Sequence, residues 1–350
     1  MRNRKLLYVT ISLLLLDGIT GGLWEDVLAE DPITAQQERN DASISLASVA
    51  KDGKWGFIDQ EGRIVIELQW DYAYPFSEGL ACVKKDGQYG YIHSAGVAME
   101  PQWGFAFPFS NGLAIVHHEG QTVYIDQEGY VTLESWWDES QPFSEGLAPV
   151  SKDGKWGYID PTGNIAIDLQ WDWVGPFIEG LAFVNKDGKW GYIDPAGDIA
   201  IDLQWDGAGP MVEGLAWVQK DGKYGYIDPM GDVVIDFQWD DAFFFAEGLG
   251  RVAKDGKYGY IDPTGGVVIE PQWDYADFLF SEGLAYIRKE HTHGYIDQAG
   301  NVVIEPQWEN AGSFSKGLAC VMKDGKYGYI NPAGDVVIDF LWDAAFPFTQ

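Results

Sequence analysis

Short runs of alternating apolar and polar residues recur along the chain from about residue 45, separated by Gly, Pro and Asp. Residues 181–186 and 189–194 form two of these runs. A period of two is typical of β-strands, and no stretch of this part of the chain lacks Gly or Pro for long, which disfavours helices. The pattern therefore predicts an all-β protein.

Two kinds of turn connect the runs. Asp-Gly at residues 187–188 lies between two runs, and this pair is preferred by the two-residue type I′ hairpin. Asp-Pro-Ala-Gly at residues 194–197 has the residue order of a type I turn. A third strand at residues 199–201 completes a three-stranded meander. Residues 204–210, which lead to the next meander, are interpreted as either a loop or a short fourth strand.

The meander is repeated along the chain. Its central motif reads Lys-Trp-Gly-Tyr-Ile-Asp at residues 155–160, and a typical copy has 34 residues. A repeat array allows a long chain to fold because each unit packs only on its neighbours. The nine repeats, numbered 1 to 9 below, are residues 45–78, 79–111, 112–145, 146–179, 180–213, 214–247, 248–282, 283–316 and 317–350.

One Trp occupies the same place in every repeat. We expect it to pack between neighbouring repeats, since three-stranded units of this size could not stand alone and a buried Trp ring contributes a large apolar area. The nine residues are Trp70, Trp103, Trp137, Trp171, Trp205, Trp239, Trp273, Trp308 and Trp342.

The Gly of the central motif, such as Gly157, lies inside the second predicted strand. In a strand, Gly usually marks the close approach of another backbone or ring. We expect the Trp of a neighbouring segment to lie over it.

Two architectures fit nine such meanders. The first is an open superhelical array resembling a β-solenoid, and the alternative is a closed ring resembling a β-propeller. Thirty-four residues are few for a four-stranded propeller blade, which favours the open array.

The charge balance restricts the partners. The net charge is −31, with 54 acidic and 23 basic residues, and this charge repels nucleic acid and anionic membrane surfaces. Cys82 and Cys320 occupy the same place in two repeats and are interpreted as small apolar core residues.

The N-terminus has the pattern of a targeting segment. Arg2, Arg4 and Lys5 precede an apolar run at residues 6–16, which is too short to span a bilayer comfortably. We interpret residues 1–29 as a signal peptide or N-terminal anchor and residues 30–44 as a linker. The protein is therefore predicted to be secreted or held in the cell envelope.

No motif with catalytic spacing is found, and the sequence predicts a protein that is not an enzyme and has no cofactor. His291 and His293 are interpreted as parts of an irregular turn rather than as metal ligands. The repeated Asp residues at turns are typical turn formers, so no metal is predicted, with Ca²⁺ as the one cation left open.

The first strand contains one position whose residue differs from repeat to repeat. We expect this variable position to face outward, where it would form the candidate binding surface. Phe183, Trp217, Arg251 and Tyr286 occupy it in repeats 5 to 8.

The motif Lys-Trp-Gly-Tyr-Ile-Asp, the downstream Gln-Trp-Asp and the junction Phe-Ser-Glu-Gly-Leu-Ala resemble the WG-containing β-repeat family of bacterial proteins. The resemblance covers residues 45–350 and implies a β-repeat fold of bacterial origin, without catalytic residues to carry over. We therefore hypothesise a non-enzymatic binding scaffold whose partner is a protein. The alternative is a carbohydrate or cell-wall binder that uses exposed aromatic residues on a cell-envelope glycan.

Overall fold

The structure is a computed structural model that describes residues 45–118, 120–134 and 137–349. The predicted signal peptide or anchor (1–29) and linker (30–44) lie outside the described residues. Within the described ranges all regular elements are β-strands, which confirms the all-β prediction. In the same ranges, no helix has the length and hydropathy needed to cross a membrane.

Each repeat contributes four strands, numbered in chain order. The first strands of the nine repeats are β1 (Ala47–Lys51), β5 (Leu80–Lys85), β9 (Ala114–His118), β13 (Ala148–Lys152), β17 (Ala182–Lys186), β21 (Ala216–Lys220), β25 (Leu249–Lys254), β29 (Leu284–Lys289) and β33 (Ala319–Lys323). The second strands carry the central motif and are β2 (Lys54–Ile58), β6 (Gln88–His93), β10 (Gln121–Ile125), β14 (Lys155–Ile159), β18 (Lys189–Ile193), β22 (Lys223–Ile227), β26 (Lys257–Ile261), β30 (Thr292–Asp297) and β34 (Lys326–Ile330).

The third strands end on or near the repeated Trp. They are β3 (Ile64–Trp70), β7 (Gly96–Trp103), β11 (Val131–Glu134), β15 (Ile165–Trp171), β19 (Ile199–Trp205), β23 (Val233–Trp239), β27 (Val267–Trp273), β31 (Val302–Trp308) and β35 (Val336–Trp342). The fourth segment, left open as loop or strand, is a short strand in every repeat: β4 (Tyr72–Ser77), β8 (Phe105–Ala106), β12 (Glu139–Ser140), β16 (Trp173–Val174), β20 (Gly207–Ala208), β24 (Asp241–Ala246), β28 (Tyr275–Ala276), β32 (Asn310–Ala311) and β36 (Ala344–Ala345).

Two kinds of turn with the backbone conformation of a type I′ hairpin recur along the described chain. Asp187 and Gly188 have φ of 53° and 78°, which confirms the turn predicted between the first and second strands. Glu179 and Gly180, between the fourth strand and the next first strand, have φ of 52° and 76°. The Glu-Gly junction is therefore a second hairpin turn, which was not predicted from the sequence.

A sheet is made from two repeats. The fourth strand of one repeat pairs with the first strand of the next, as Val174 of β16 does with Val184 of β17. The first, second and third strands then follow in antiparallel order, so that β16, β17, β18 and β19 form one four-stranded sheet. Sequence repeats and sheets are consequently out of phase by one strand.

The described chain forms two compact units. One extends to Ser144 and includes Trp342–Gln350. It contains the sheets β36-β1-β2-β3, β4-β5-β6-β7 and β8-β9-β10-β11. In the first of these, β36 of repeat 9 pairs with β1 of repeat 1, and Leu46 and Thr349 exchange backbone hydrogen bonds of 3.0 and 2.9 Å.

This pairing corrects the preferred architecture. An open array leaves its terminal repeats without a partner strand, whereas here the last strand of the chain completes the first sheet. The all-β tandem repeat is confirmed, and the arrangement is the propeller-like alternative rather than the open superhelical array. The short fourth strand explains why 34 residues suffice for a four-stranded sheet.

The other unit is Glu145–Leu341. It contains β13, β14 and β15, followed by four-stranded sheets β16 to β19, β20 to β23, β24 to β27, β28 to β31 and β32 to β35 in chain order. In each sheet the third strand lies at the outer edge, and we call β15, β19, β23, β27, β31 and their equivalents the outer strands.

The core lies between successive sheets. Tyr158, Ile167 and Trp171 of one sheet pack on Val174 and Val184 of the next. The repeated Trp is 2–7% exposed in eight repeats, which confirms that it packs between neighbours. Only in repeat 3, where the sequence departs from the motif, is the residue half-buried, as Trp137.

The central Gly is required by the third strand. A Cβ on Gly157 would lie 2.5 Å from the backbone oxygen of Ile167 and 2.9 Å from that of Asp168. The pairing of β14 with β15 is irregular here, since Trp156 faces Trp171 while Tyr158 faces Ile167. The predicted close approach is therefore confirmed, but a bulged backbone lies over the Gly, and the expectation of a Trp ring is wrong.

The Tyr that follows this Gly ties the sheet to the next fourth strand. Tyr158 is fully buried and its hydroxyl donates to the carbonyl of Gly175 at 2.7 Å. Burial raises the pKa of this phenol well above its usual value, so the hydroxyl stays a donor. The same bond, to a carbonyl 16 or 17 residues along the chain, is made by Tyr91, Tyr192, Tyr226, Tyr260 and Tyr295.

Candidate functional site

The variable position does not face outward. Phe183, Trp217 and Arg251 are only 2%, 9% and 4% exposed, and Tyr286 is half-buried. The expectation of an exposed aromatic patch made by Phe183 and Trp217 is therefore wrong. Whether the position takes part in binding stays a prediction.

The position varies because another residue varies with it. Gly175 donates its N–H to the carbonyl of Phe183, and Gly209 does so to Trp217. A Cβ on Gly175 would lie 2.1 Å from the Phe183 ring, and one on Gly209 would lie 2.0 Å from the Trp217 indole. A large side chain on the first strand thus occupies space that a Gly on the facing segment leaves.

Other repeats reverse the sizes. Phe107 donates to Ile115, and Phe346 donates to Ser48, so that a large facing residue accompanies a smaller strand residue. These compensating sizes lie eight residues apart in the sequence (183 − 175), and they are recognised only when the two positions are compared as a pair.

Arg251 is enclosed by aromatic rings. Its guanidinium carbon lies 4.1 Å from the ring centre of Phe278 and 4.7 Å from that of Tyr258, with Phe243 and Tyr275 within 6 Å. It donates to the carbonyl of Ala276 at 3.2 Å and to Asp241 at 3.4 Å. Stacking on aromatic faces stabilises a guanidinium in this buried place.

Asp277 lies in the same region and is also buried. It takes the place that Gly has in repeats 4 and 5, and its N–H donates to the carbonyl of Tyr286. Its carboxylate accepts from the Ser313 hydroxyl at 2.6 Å and the Phe278 N–H at 2.7 Å. Burial raises the pKa of Asp277 to about 7, although these donors and Arg251 act in the opposite direction.

The structure brings two of the four candidate residues together. The Tyr275 ring stacks on Tyr286 at 5.8 Å and also lies 5.8 Å from the guanidinium of Arg251. Phe183 instead packs with Trp173 and Trp190, in a cluster whose half-buried members are these two Trp residues. Trp217 packs with Tyr224.

The Lys of the central motif has a structural role. Lys155 forms an ion pair of 2.6 Å with Asp172, whose other oxygen accepts the N–H of Asp187 in the next Asp-Gly turn. These two hydrogen bonds, the first being the stronger, hold the pKa of Asp172 below its usual value. The same arrangement joins Lys54 to Asp71, Lys189 to Asp206, Lys223 to Asp240 and Lys257 to Asp274.

The Asp that ends the central motif accepts hydrogen bonds within its own repeat. One carboxylate oxygen of Asp160 accepts the backbone N–H groups of Thr162 and Asn164, at 2.9 and 3.0 Å. Asp194, Asp228, Asp262 and Asp297 accept the same pair of bonds.

A third recurring acidic residue lies on the outer strand, and its carboxylate has no such structural role. Asp168, Asp202 and Asp236 are exposed, and among the described residues their carboxylates form no ion pair or hydrogen bond. Exposed β-branched residues precede them on the same strands: Ile165 at 51%, Ile199 at 53% and Val233 at 45%. The outer strands therefore present an apolar and acidic surface that the fold itself does not explain.

Metal binding gains no support from the geometry. Across 45–118, 120–134 and 137–349, no three His, Cys, Asp or Glu residues are grouped so as to hold an ion. His291 is exposed, while His293 is half-buried and burial lowers its pKa. The expectation of no metal, with Ca²⁺ as the one cation left open, stays a prediction.

The comparisons with known proteins agree with the repeat structure. The model of the WG containing repeat matches nine segments, at residues 55–89, 89–120, 124–156, 156–190, 190–224, 224–258, 258–290, 294–327 and 327–350. A search of curated proteins gives no sequence match.

Solved structures are similar to this chain at low sequence identity. A crystal structure of the eukaryotic initiation factor is 11% identical with a TM-score of 0.62, over 87% of this chain and 98% of that chain. Dihydro-heme d1 dehydrogenase NirN in complex with DHE is 10% identical with a TM-score of 0.48, over 95% of this chain and 78% of that one. At such identities the first likeness concerns the fold alone.

Proposed function

The chain belongs to the WG-containing repeat family, and we propose that it acts as a non-enzymatic scaffold that binds another macromolecule through its repeated surface. The observation that carries this proposal is the outer strand, which exposes a β-branched residue and an acid without a partner in repeat after repeat. The other recurring polar groups, such as Lys155, Asp160 and Asp172, are engaged within the fold. Repeat arrays offer extended surfaces of this kind to partners.

The proposed partner is a protein, and the proposed location is outside the cytoplasm. Arg2, Arg4, Lys5 and the apolar run at residues 6–16 support export, with the protein secreted or held in the cell envelope. The net charge of −31 disfavours nucleic acid and anionic membrane as partners.

A second candidate function is the binding of a cell-envelope glycan. It is favoured by the half-buried aromatic pairs Trp173 with Trp190, at 5.5 Å, and Tyr275 with Tyr286, at 5.8 Å. An aromatic ring that keeps one part in water can stack on an apolar sugar face. These pairs replace Phe183 and Trp217 as the aromatic residues a glycan would reach.

Binding of the purified protein to cell-envelope extracts, by co-sedimentation and cross-linking, tests both functions. Val233→Lys with Val234→Lys changes one outer strand, and Trp173→Ala with Trp190→Ala changes one aromatic pair. Loss of a cross-linked protein partner with the first variant alone supports the protein scaffold. Loss of binding to glycan arrays with the second variant alone supports the glycan function. Binding that neither variant reduces, or no binding by the folded wild type, contradicts both.

A further inference from the structure

We propose that the outer strands β15, β19 and β23 bind an extended basic segment of the partner protein, which adds to each sheet as a fifth β-strand. This inference rests on the proposed function and names the chemistry of the partner. The three strands lie in one compact unit and are close copies: residues 165–171 and 199–205 both read Ile-Ala-Ile-Asp-Leu-Gln-Trp, and residues 233–239 read Val-Val-Ile-Asp-Phe-Gln-Trp.

The backbone of these strands is unpaired on one side. Each of these strands is the last strand of its sheet, with a neighbour on one side only. Seven residues at about 3.3 Å per residue give an edge of about 23 Å, long enough to accept a short peptide strand. The N–H and C=O groups on the free side can pair with that strand.

Three of the devices that usually protect a sheet edge are absent from these strands. Natural edge strands are blunted by Lys and other charged side chains, by Pro, by shortness or by β-bulges. β15, β19 and β23 contain no Lys or Pro and are seven residues long, and they expose Ile165, Ile199 and Val233 by about half. Each of them pairs irregularly with the second strand of its sheet, and the opposite side of the strand is left for an added strand. The following outer strands β27 and β31 contain Pro271 and Pro306, so these two edges are less open to an added strand than the three that precede them.

The outer strands also carry negative charge. Asp168, Asp202 and Asp236 are exposed in the middle of these strands, and no basic residue among the described ones pairs with them. Residues opposite each other on paired strands lie about 4.5–5.5 Å apart, where opposite charges attract and like charges repel. An added strand that alternates Lys or Arg with β-branched residues would match both the acid and the apolar side chain. The net charge of −31 would also attract such a segment from a distance.

The same charge disfavours a second copy of this chain as the occupant. Pairing one outer strand with another would bring acidic residues of both copies to the same seam and would leave them without a cation. The inferred occupant is therefore a different, basic protein segment.

The test uses a labelled peptide of about nine residues that alternates Lys and Val, with fluorescence anisotropy as the readout. A matched peptide has the same charge but carries Pro in place of the central Val residues, which removes backbone donors. Asp202→Lys with Asp236→Lys changes the edge, and the control Asp198→Lys with Asp232→Lys makes the same charge change in the exposed turns of the same repeats.

We expect the edge variant to weaken peptide binding at least about tenfold and the control variant to weaken it by about threefold or less, as for a remote screened charge. The Pro peptide is expected to bind at least about tenfold more weakly than the Lys-Val peptide. Hydrogen exchange should show new protection in β19 and β23 when the Lys-Val peptide is bound.

Equal losses with both variants, equal binding of both peptides, or protection elsewhere would overturn the added-strand inference. Self-association of the wild type that the edge variant abolishes would assign the edge to a second copy and would also overturn it. These results leave the scaffold proposal intact if an envelope protein is still bound, whereas absence of any envelope partner contradicts the scaffold itself.

Discussion

Glu179 and Glu213 occupy the same place in consecutive repeats, and the carboxylate of Glu179 accepts the backbone N–H of Glu213 at 2.7 Å. The other oxygen of Glu179 accepts the N–H of Gly214 at 2.9 Å. Glu213 in turn accepts the N–H of Gly248 at 3.0 Å. Both Glu residues have φ of 52°, a conformation that costs an ordinary side chain about 1 kcal/mol. The bond to the next turn explains why Glu stands where Asn or Gly would be less strained.

Glu179→Ala should release the turn of the following repeat. We expect faster hydrogen exchange at the amides of Glu213 and Gly214 and a loss of about 1 kcal/mol in the free energy of unfolding, because two donors lose a charged acceptor. The amide of Gly317, which Glu282 caps at 3.0 Å, serves as the internal control and should exchange as before. Unchanged exchange at Glu213 and Gly214 would show that the bond does not hold the turn.

Trp205→Ala should destabilise the protein by about 3–5 kcal/mol, because Trp205 is 4% exposed and its ring lies between two sheets. Denaturant unfolding followed by circular dichroism measures the loss. Trp137→Ala removes the equivalent but half-buried residue of repeat 3 and should cost clearly less. Similar losses for the two variants would contradict the role given to the buried ring.

Exchanging the sizes of Gly209 and Trp217 tests their complementarity. Gly209→Phe alone should clash with the indole, and Trp217→Ile alone should leave a cavity, each costing about 2–4 kcal/mol. The double variant copies the Phe107 and Ile115 pair of another repeat. It should be more stable than the sum of the single changes predicts by at least about 1 kcal/mol, measured by a double-mutant cycle. Strict additivity would mean that the two sites do not share the space.

Asp277 should make stability depend on pH. Its folded pKa of about 7 lies above the unfolded value near 3.8, so the protonated carboxyl favours the folded state. This stabilisation of the folded state is complete below about pH 4 and is lost as the pH rises through about 7. The full pKa shift corresponds to roughly 4 kcal/mol in the free energy of unfolding. The positive charge of Arg251 opposes this rise in the pKa of Asp277.

Asp277→Asn should therefore flatten the pH dependence of the unfolding midpoint between about pH 4 and 8. Asp172→Asn is a useful contrast, because the lowered pKa of Asp172 gives stability that is lost as the pH falls below about 4. A slope between pH 4 and 8 that is equal in wild type and Asp277→Asn would contradict the assignment to Asp277.

The repeated elements were predictable because each depends on residues close in sequence. Asp-Gly at 187–188 needs only positive φ at two adjacent residues, and residues 194–197 form their turn from within. The packing role of Trp205 followed from its recurrence. The short fourth strand was left open, because Trp173 and Val174 form a strand only when the first strand of the next repeat pairs with them.

The variable position could not be placed in the same way. Variation at Phe183 was interpreted as exposure, since an outward residue is free to change. In the structure the position is buried and the facing residue, Gly175, adapts to it. Likewise, the partner of Glu179 lies 34 residues along the chain, so its cap could be seen only with both turns in place.

The pairing of the last strand of repeat 9 with the first strand of repeat 1 has a consequence for purified protein. The backbone bonds between Leu46 and Thr349, and the pairing of β36 with β1, would be identical if the two strands came from different molecules. At high concentration, or after refolding, one chain can therefore donate its last strand to the first sheet of another. Domain-swapped dimers and longer chains of molecules would form without any new contact, and dilution before refolding would favour the monomer.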